Sequence, residues 1–266
     1  MLMSGKEFKD KYGSEFYKFL SVDNIHHGFK YQIGLNIDNV EFDPTGECKR
    51  GGLYFTNIIN IFNFYEYGNK IALIEILDDS QVYIETDKFK TDKFIIKSIS
   101  QTDNEILQIL KNTQIKELNN ENICSYASMN NGLECLKYAH ENGCPWDAFT
   151  CLYASKNGHL ECLKYAHENG CPWNEWTCSN ASLNGHLECL KYAHDNGCPW
   201  DAYTCSKACY KGHLECLKYA HENGCPWDEN TCSNASFNGH LECLKYAHEN
   251  SCPWNGHAQM HLRGDT

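Results

Sequence analysis

Seventeen cysteines and thirteen histidines stand in a chain of 266 residues, and these side chains are the ones best suited to metal or thiol chemistry. Fifteen of the cysteines keep three fixed places in a 27-residue period: Cys124, Cys151, Cys178, Cys205 and Cys232; Cys135, Cys162, Cys189, Cys216 and Cys243; and Cys144, Cys171, Cys198, Cys225 and Cys252. Only Cys48 and Cys209 fall outside that register. Metal ligation would be their sharpest use. Against it, no C-x2-C pair occurs, and structural zinc sites usually have such close pairs. A buried free cysteine also behaves as a small hydrophobe. Disulfides belong mainly to secreted chains, and the polar start MLMSGKEFKDKYG has no apolar signal segment. The cysteines are therefore expected to be reduced core filler, with no metal and no cofactor bound.

The histidines repeat as well. His159, His186, His213 and His240 open an apolar stretch, where capping or packing is expected. His140, His167, His194, His221 and His248 are expected half-buried between neighbouring copies, with a pH-sensitive stack as the alternative. Trp146, Trp173, Trp200, Trp227 and Trp254 each close a Cys-Pro-Trp segment. They are expected to pack as a ladder, because five exposed indoles would form an apolar stripe needing a partner.

A second constellation lies near the N-terminus. His27-Gly28, followed by Gly52-Leu53-Tyr54-Phe55, reads as a turn and a buried strand. It is also similar to the ADP-ribosyltransferases, in which a His and a Tyr flank the nicotinamide. That resemblance implies an acid as well, and Glu85 is the candidate. The alternative function it implies is an ADP-ribosyltransferase-like enzyme with the repeats as its targeting module.

The elements that must position these residues follow from the spacing. A fixed period of this length means stacked supersecondary units that bury apolar faces only against each other. Copies run 123–149, 150–176, 177–203, 204–230 and 231–257. In the second copy Asp147 is an N-cap, helix A covers Ala148–Lys156, Asn157-Gly158 ends it, and helix B covers Leu160–Glu168. Asn169-Gly170 closes helix B, and the proline of Cys-Pro-Trp sits where no helix is needed. Leu187 and Leu190 are both placed in the core, so either change to Ala is expected to cost about 2–5 kcal/mol.

Residues 1–119 carry no repeat. Lys6–Leu20 reads as a helix. Phe29–Ile37, Gly52–Thr56, Ile71–Leu77, Gln81–Glu85 and Phe94–Ile99 read as strands. Asn57–Tyr67 has helical spacing, Asp43–Gly52 is a turn-rich loop, and Asn104–Leu118 reads as a linking helix. The fold class is thus an α+β domain over 1–119, an all-α solenoid over 120–257 and a tail at 258–266.

The segment NGHLECLKYAHENGCPWN beginning at Asn157 is similar, position by position, to the ankyrin pattern NGHLEVVKLLLENGADVN. The similarity covers helix B and its flanks in four copies, while the first has Asn131-Gly132 where the others have Gly-His. It implies the ankyrin helix-turn-helix stack. Two features differ: the period is shorter than the ankyrin one of about 33, and the TPLH box is absent. Short connectors without fingers are therefore expected. Together with GLNIDNVEFDPTGECKRGGLYFT in the N-terminal domain, the chain resembles the ankyrin-repeat proteins of giant DNA viruses of amoebae.

Where copies are nearly identical, the positions that vary are those packing does not dictate. These are Tyr126 and Met129 in the first copy, then Phe149, Tyr153 and Lys156, then Trp176, Asn180 and Leu183, then Tyr203, Lys207 and Tyr210, and last Asn230, Asn234 and Phe237. All lie on helix A, whose outward side lines the binding surface of ankyrin-like stacks. Their aromatic content suits binding hot spots, whereas neutral drift between duplicates is the bland alternative. The expectation is a non-enzymatic, monomeric scaffold that binds a protein, plausibly a host one in host cytoplasm. A net charge of −12 speaks against a nucleic acid or an anionic membrane as partner. The strongest apolar run, Ile71–Leu77, is too short to span a bilayer.

Overall fold

The computed structural model describes residues 1–44, 50–100, 103–112 and 120–253. The helix foreseen to Leu118, the middle of the Asp43–Gly52 loop, Cys48, Trp254 and the 258–266 tail lie partly or wholly outside the described residues. The chain divides into two compact units. The first takes 1–126 and 138–145, the second 127–137 and the residues from 146 onward, so residues of the first repeat copy fall in both.

The first unit is α+β. Its strands are β1 (Leu2–Ser4), β2 (Phe16–Leu20), β3 (Ile25–His26), β4 (Phe29–Lys30), β5 (Gly34–Ile37), β6 (Leu53–Phe55), β7 (Lys70–Glu75), β8 (Gln81–Ile84), β9 (Phe89–Thr91) and β10 (Lys93–Ser100). They form two four-stranded antiparallel sheets, β1-β8-β9-β6 and β2-β7-β10-β5, and a small β3-β4 hairpin. Helices α1 (Gly5–Tyr12) and α2 (Asp103–Asn112) and a 3-10 helix, Ile61–Tyr67, complete it. The core is aromatic, with Phe8, Phe16, Phe55, Phe89 and Phe94 buried together.

Three sequence expectations are corrected here. The single helix over Lys6–Leu20 is α1 followed by β2. Ser4 and Glu7 form a capping box that starts the helix, and Gly13 stops it. All five residues of β2 are then buried as a strand. The single strand over Phe29–Ile37 is split into β4 and β5. From β5 the Asn36 side chain folds back over the break, accepting from Gln32 N and donating to the Gln32 and Gly34 carbonyls. The helix over Asn57–Tyr67 begins only at Ile61, because the Asn57 side chain accepts from Asn60 N and closes a turn first. The other four strands stand within a few residues of their expected limits, whereas β1 and β9, three residues each, are too short to show a period.

The repeats form five helix pairs among the described residues: α3 (Glu121–Met129) with α4 (Leu133–Glu141), α5 (Ala148–Lys156) with α6 (Leu160–Glu168), α7 (Glu175–Asn184) with α8 (Leu187–Asp195), α9 (Ala202–Lys211) with α10 (Leu214–Glu222), and α11 (Glu229–Phe237) with α12 (Leu241–Glu249). The limits read for the second copy from caps and glycines coincide with α5 and α6. Asp147, Asn174, Asp201 and Asp228 cap the A helices by accepting the amide two residues on. Helix B buries Cys189, Leu190 and Ala193 and their counterparts. Leu187 is only half-buried, which corrects its placement in the core. It begins helix B, a turn short of the packed face.

Every described cysteine is buried and free, and the Cys-Pro-Trp cysteine has a task beyond filling space. Cys171 Sγ donates to the Asp147 carbonyl at 3.2 Å, and Cys198, Cys225 and Cys252 do the same to Asn174, Asp201 and Asp228. Each thiol thus ties the end of a repeat to the N-cap of its own helix A. The Cys171, Cys198 and Cys225 thiols, together with burial, push the pKa of Cys151, Cys178 and Cys205 well above the ordinary thiol range.

The tryptophan ladder is shared with histidine and tyrosine. Trp173 stacks on His167 at 3.7 Å and meets the edge of Tyr192 at 6.3 Å. Trp200 and Trp227 repeat this with His194 and Tyr219, and with His221 and Tyr246. His167 Nδ1 lies 3.2 Å from Tyr192 OH in the next copy, so each triad joins two repeats.

The histidines that open helix B also join repeats. His159 Nε2 lies 3.1 Å from the Met129 carbonyl, and His240 Nε2 3.2 Å from that of Tyr210. A carbonyl can only accept, so each ring donates to the last turn of helix A in the preceding repeat. That ring also explains Gly185, which has φ +75 and where a Cβ would sit 2.6 Å from His213 Nδ1. Gly185→Ala is expected to cost about 2 kcal/mol or more, from left-handed strain plus the clash. Gly170→Ala, with φ +86 and open space around it, should cost only about 1 kcal/mol. Equal losses in urea melts of the two variants would contradict this role of the ring.

Candidate partner-binding face

Each A helix presents its variable residues at i, i+4 and i+7, a spacing that puts them on one face. The first member follows the N-cap by two. Its amide is the one the cap accepts, as in Phe149 N to Asp147 Oδ1 at 2.9 Å and Trp176 N to Asn174 Oδ1 at 3.1 Å. The cap thus fixes the backbone beneath the residue that changes from copy to copy.

Phe149, Trp176, Tyr203, Tyr210 and Phe237 are 55%, 52%, 62%, 41% and 88% exposed. These are large rings in water, whereas the repeated Cys, Leu190-type and Ala positions are buried and the Leu that opens helix B and the Trp of Cys-Pro-Trp are half-buried in most copies. Phe149 stacks along Tyr153 at 6.1 Å. Lys156 lies over Tyr153, and Lys207 over Tyr210, both at 5.9 Å. Lys156 and Asn230 are exposed, whereas Met129, Tyr153, Asn180, Leu183, Lys207 and Asn234 are half-buried. Asn234 spends its amide on Ser206 of the preceding copy at 2.7 Å, and Asn180 donates to the Trp176 carbonyl.

Tyr126 is a correction. It is fully buried, with ring contacts to Phe19 at 5.3 Å and Phe62 at 5.4 Å. In the first copy the aromatic at this place serves a core, which takes Tyr126 out of the candidate face.

This geometry, a capped helix A, a left-handed turn and a helix B whose Leu and Ala are buried, coincides with a family match. A family model described as ankyrin repeats in many copies matches residues 151–194 and 205–248. The array is built of ankyrin repeats. Two ankyrin repeat proteins of Acanthamoeba polyphaga mimivirus are similar to it. One is 39% identical over 69 residues, which is 25% of this chain and 34% of that protein. The other is 40% identical over 65 residues, 23% of this chain and 21% of that protein. The chain thus spans about a third or less of the length of these relatives. Among solved structures, the ankyrin repeat domain of human ASB11 is similar with a TM-score of 0.44 and 18% identity, over 48% of this chain and 69% of that one. The ankyrin array and the sheets that precede it give the fold class expected from the sequence.

The N-terminal constellation is partly assembled. His27 and Tyr54 line one cavity with His26, Gly28, Phe29, Tyr31, Asp38, Asn39, Val40, Arg50, Gly52 and Leu53. Glu85 is not on that wall. It pairs with Lys88 at 3.4 Å. The acid that does line the cavity, Asp38, has both oxygens taken by the backbone amides of Val40 and Gly52. The two residues that resemble the ADP-ribosyltransferases therefore meet, and the acid proposed with them does not. Burial, with the charges of Lys18 and His27, lowers the pKa of His26 to about 4, so its ring is neutral at neutral pH.

Among the described residues, no group of three or more His, Cys, Asp or Glu side chains could hold a metal.

Proposed function

We propose that the ankyrin array is a non-enzymatic scaffold that binds a protein through the outward face of its A helices. The observation that carries this is the file of exposed rings at equivalent places, Phe149, Trp176 and Tyr203, with Tyr210 and Phe237 beside them. Monomeric proteins seldom leave contiguous apolar patches in water without use, and aromatic side chains dominate binding hot spots. Ankyrin repeats are units of protein recognition, which supports the same reading. The similarity to mimivirus proteins supports a viral origin, and a host protein met in host cytoplasm is the partner we infer. The net charge of −12 suits neither a nucleic acid nor an anionic membrane, and no helix among the described residues is long and apolar enough to cross a membrane. On this reading the protein acts as a monomer and without a cofactor.

Affinity capture from amoebal cells, with the full chain as bait, tests it. The wild type should retain a protein that a Trp176→Ala, Tyr203→Ala, Tyr210→Ala variant does not. Equal retention by both would overturn the proposed face.

A further inference from the structure

The N-terminal unit holds a second cavity that meets the first at His26 and Tyr54. Its lining includes Tyr17, Lys18, Tyr54, Phe64, Tyr67 and Lys88. Both are open clefts, each with a cavity volume of about 100 Å³. They differ in chemistry. The second is walled by aromatic rings. The first is polar, with Arg50, His27 and Asn39 on its wall.

Cations gather around the shared wall. The Tyr54 ring lies 5.2 Å from Lys88 Nζ and 5.4 Å from Lys90 Nζ, and Lys18 Nζ lies 4.8 Å from the ring of Tyr31. Lys18 and Lys90 are buried. Two acids lie nearby: Glu85 pairs with Lys88, and Asp38, on the wall of the polar cavity, keeps its charge while accepting from the backbone amides of Val40 and Gly52. In a chain of net charge −12, this is a local excess of positive charge beside a pocket of rings.

The hairpin that carries the histidines is built for that place. His27 and Gly28 both have positive φ, +50 and +78, the pattern of a two-residue type I′ turn. A non-glycine residue held there stores strain of the kind found at functional sites. Arg50 lies on this turn: its Nε donates to the His27 carbonyl at 3.3 Å, and a Cβ on Gly28 would come within 2.6 Å of its guanidinium. On the wall between the cavities, His26 Nε2 is buried and has no hydrogen-bond partner. A buried polar atom left so costs free energy unless something bonds it.

We propose that this double cleft binds a nucleoside monophosphate. The base lies among Tyr17, Phe64 and Tyr67, the phosphate faces Arg50, and His26 Nε2 hydrogen-bonds the ligand between them. Aromatic walls suit a planar base, a guanidinium suits a phosphate, and a mostly preformed pocket with a few convergent polar groups is the usual form of such a site. This site stands apart from the array's face and from any catalysis.

Calorimetry on the full chain tests it with AMP, GMP, CMP and UMP, the matching nucleosides, and inorganic phosphate as probes. At least one monophosphate should bind more tightly than its nucleoside and than phosphate. Arg50→Gln should weaken that monophosphate by about tenfold or more, the loss of a charge-assisted contact, and leave the nucleoside within about twofold. Tyr67→Ala, at an exposed ring, should weaken both. Unchanged melting curves keep the comparison clean. Absence of binding by all four monophosphates at millimolar concentration, phosphate binding as tightly as they do, or an Arg50→Gln chain that binds like the wild type would each overturn the proposal.

Discussion

The Trp176→Ala, Tyr203→Ala, Tyr210→Ala variant is expected to lose partner affinity by about a thousandfold while its melting curve stays near that of the wild type. Hot-spot aromatics cost about 2 kcal/mol or more each on truncation. Even at about 1.5 kcal/mol each, three would total about 4.5 kcal/mol, which is about three decades in Kd. The folded state should feel little. These rings are 41–62% exposed, and changes at exposed positions away from caps and networks usually stay within about 0.5 kcal/mol each. The amides that the caps of Trp176 and Tyr203 use remain. Binding assays and circular-dichroism melts on the same preparations separate the two effects. A variant that binds normally, or one that fails only because it has unfolded, would count against this face.

Leu190→Ala is expected to destabilise the array by about 2–5 kcal/mol, through lost transfer energy plus the cavity left behind. Leu190 is fully buried in α8, flanked by the buried Cys189 and Ala193. In a stack each repeat is held mainly by its neighbours, so a cavity in a central copy weakens two interfaces. Leu187→Ala, three residues earlier on the same helix, should cost well under half as much, because Leu187 is only half-buried. Urea melts of both variants check the contrast. Similar losses would mean that the buried face of helix B is wider than described.

The array was legible in the sequence because its signals repeat and agree. Asp147, Gly158 and Gly170 mark helix ends by capping and by left-handed backbone, and these are local effects that need no knowledge of the fold. Comparing copies then separated residues that packing fixes from those it leaves free, such as Trp176 and Tyr203. Tyr126 carries no such signal, because its ring contacts, Phe19 and Phe62, lie about 60 to 110 residues earlier in the chain. The thiol bond from Cys171 to Asp147 and the stack of His167 on Trp173 are likewise hidden in the sequence, since a period shows that a residue is needed but not which contact needs it.

The N-terminal unit was less legible. Its strands are as short as two or three residues, and a two-residue alternation cannot emerge over that length. Gly13 did carry a signal to split the Lys6–Leu20 segment: a helix-ending glycine after basic residues, followed by the aromatic run of β2. Likewise, His27 and Tyr54 could be paired from residue type, but the cavity they share depends on the β3-β4 hairpin and on Arg50, which no local pattern reveals.

The central claim is that the A-helix rings are the surface a partner touches. Site-specific photocrosslinking tests it most directly, with the full chain carrying p-benzoylphenylalanine in place of Trp176 in one preparation and of Lys191, on helix B, in another. A covalent adduct with a protein should form from position 176 and not from position 191. An adduct from position 191 alone, or from both equally, would contradict the account.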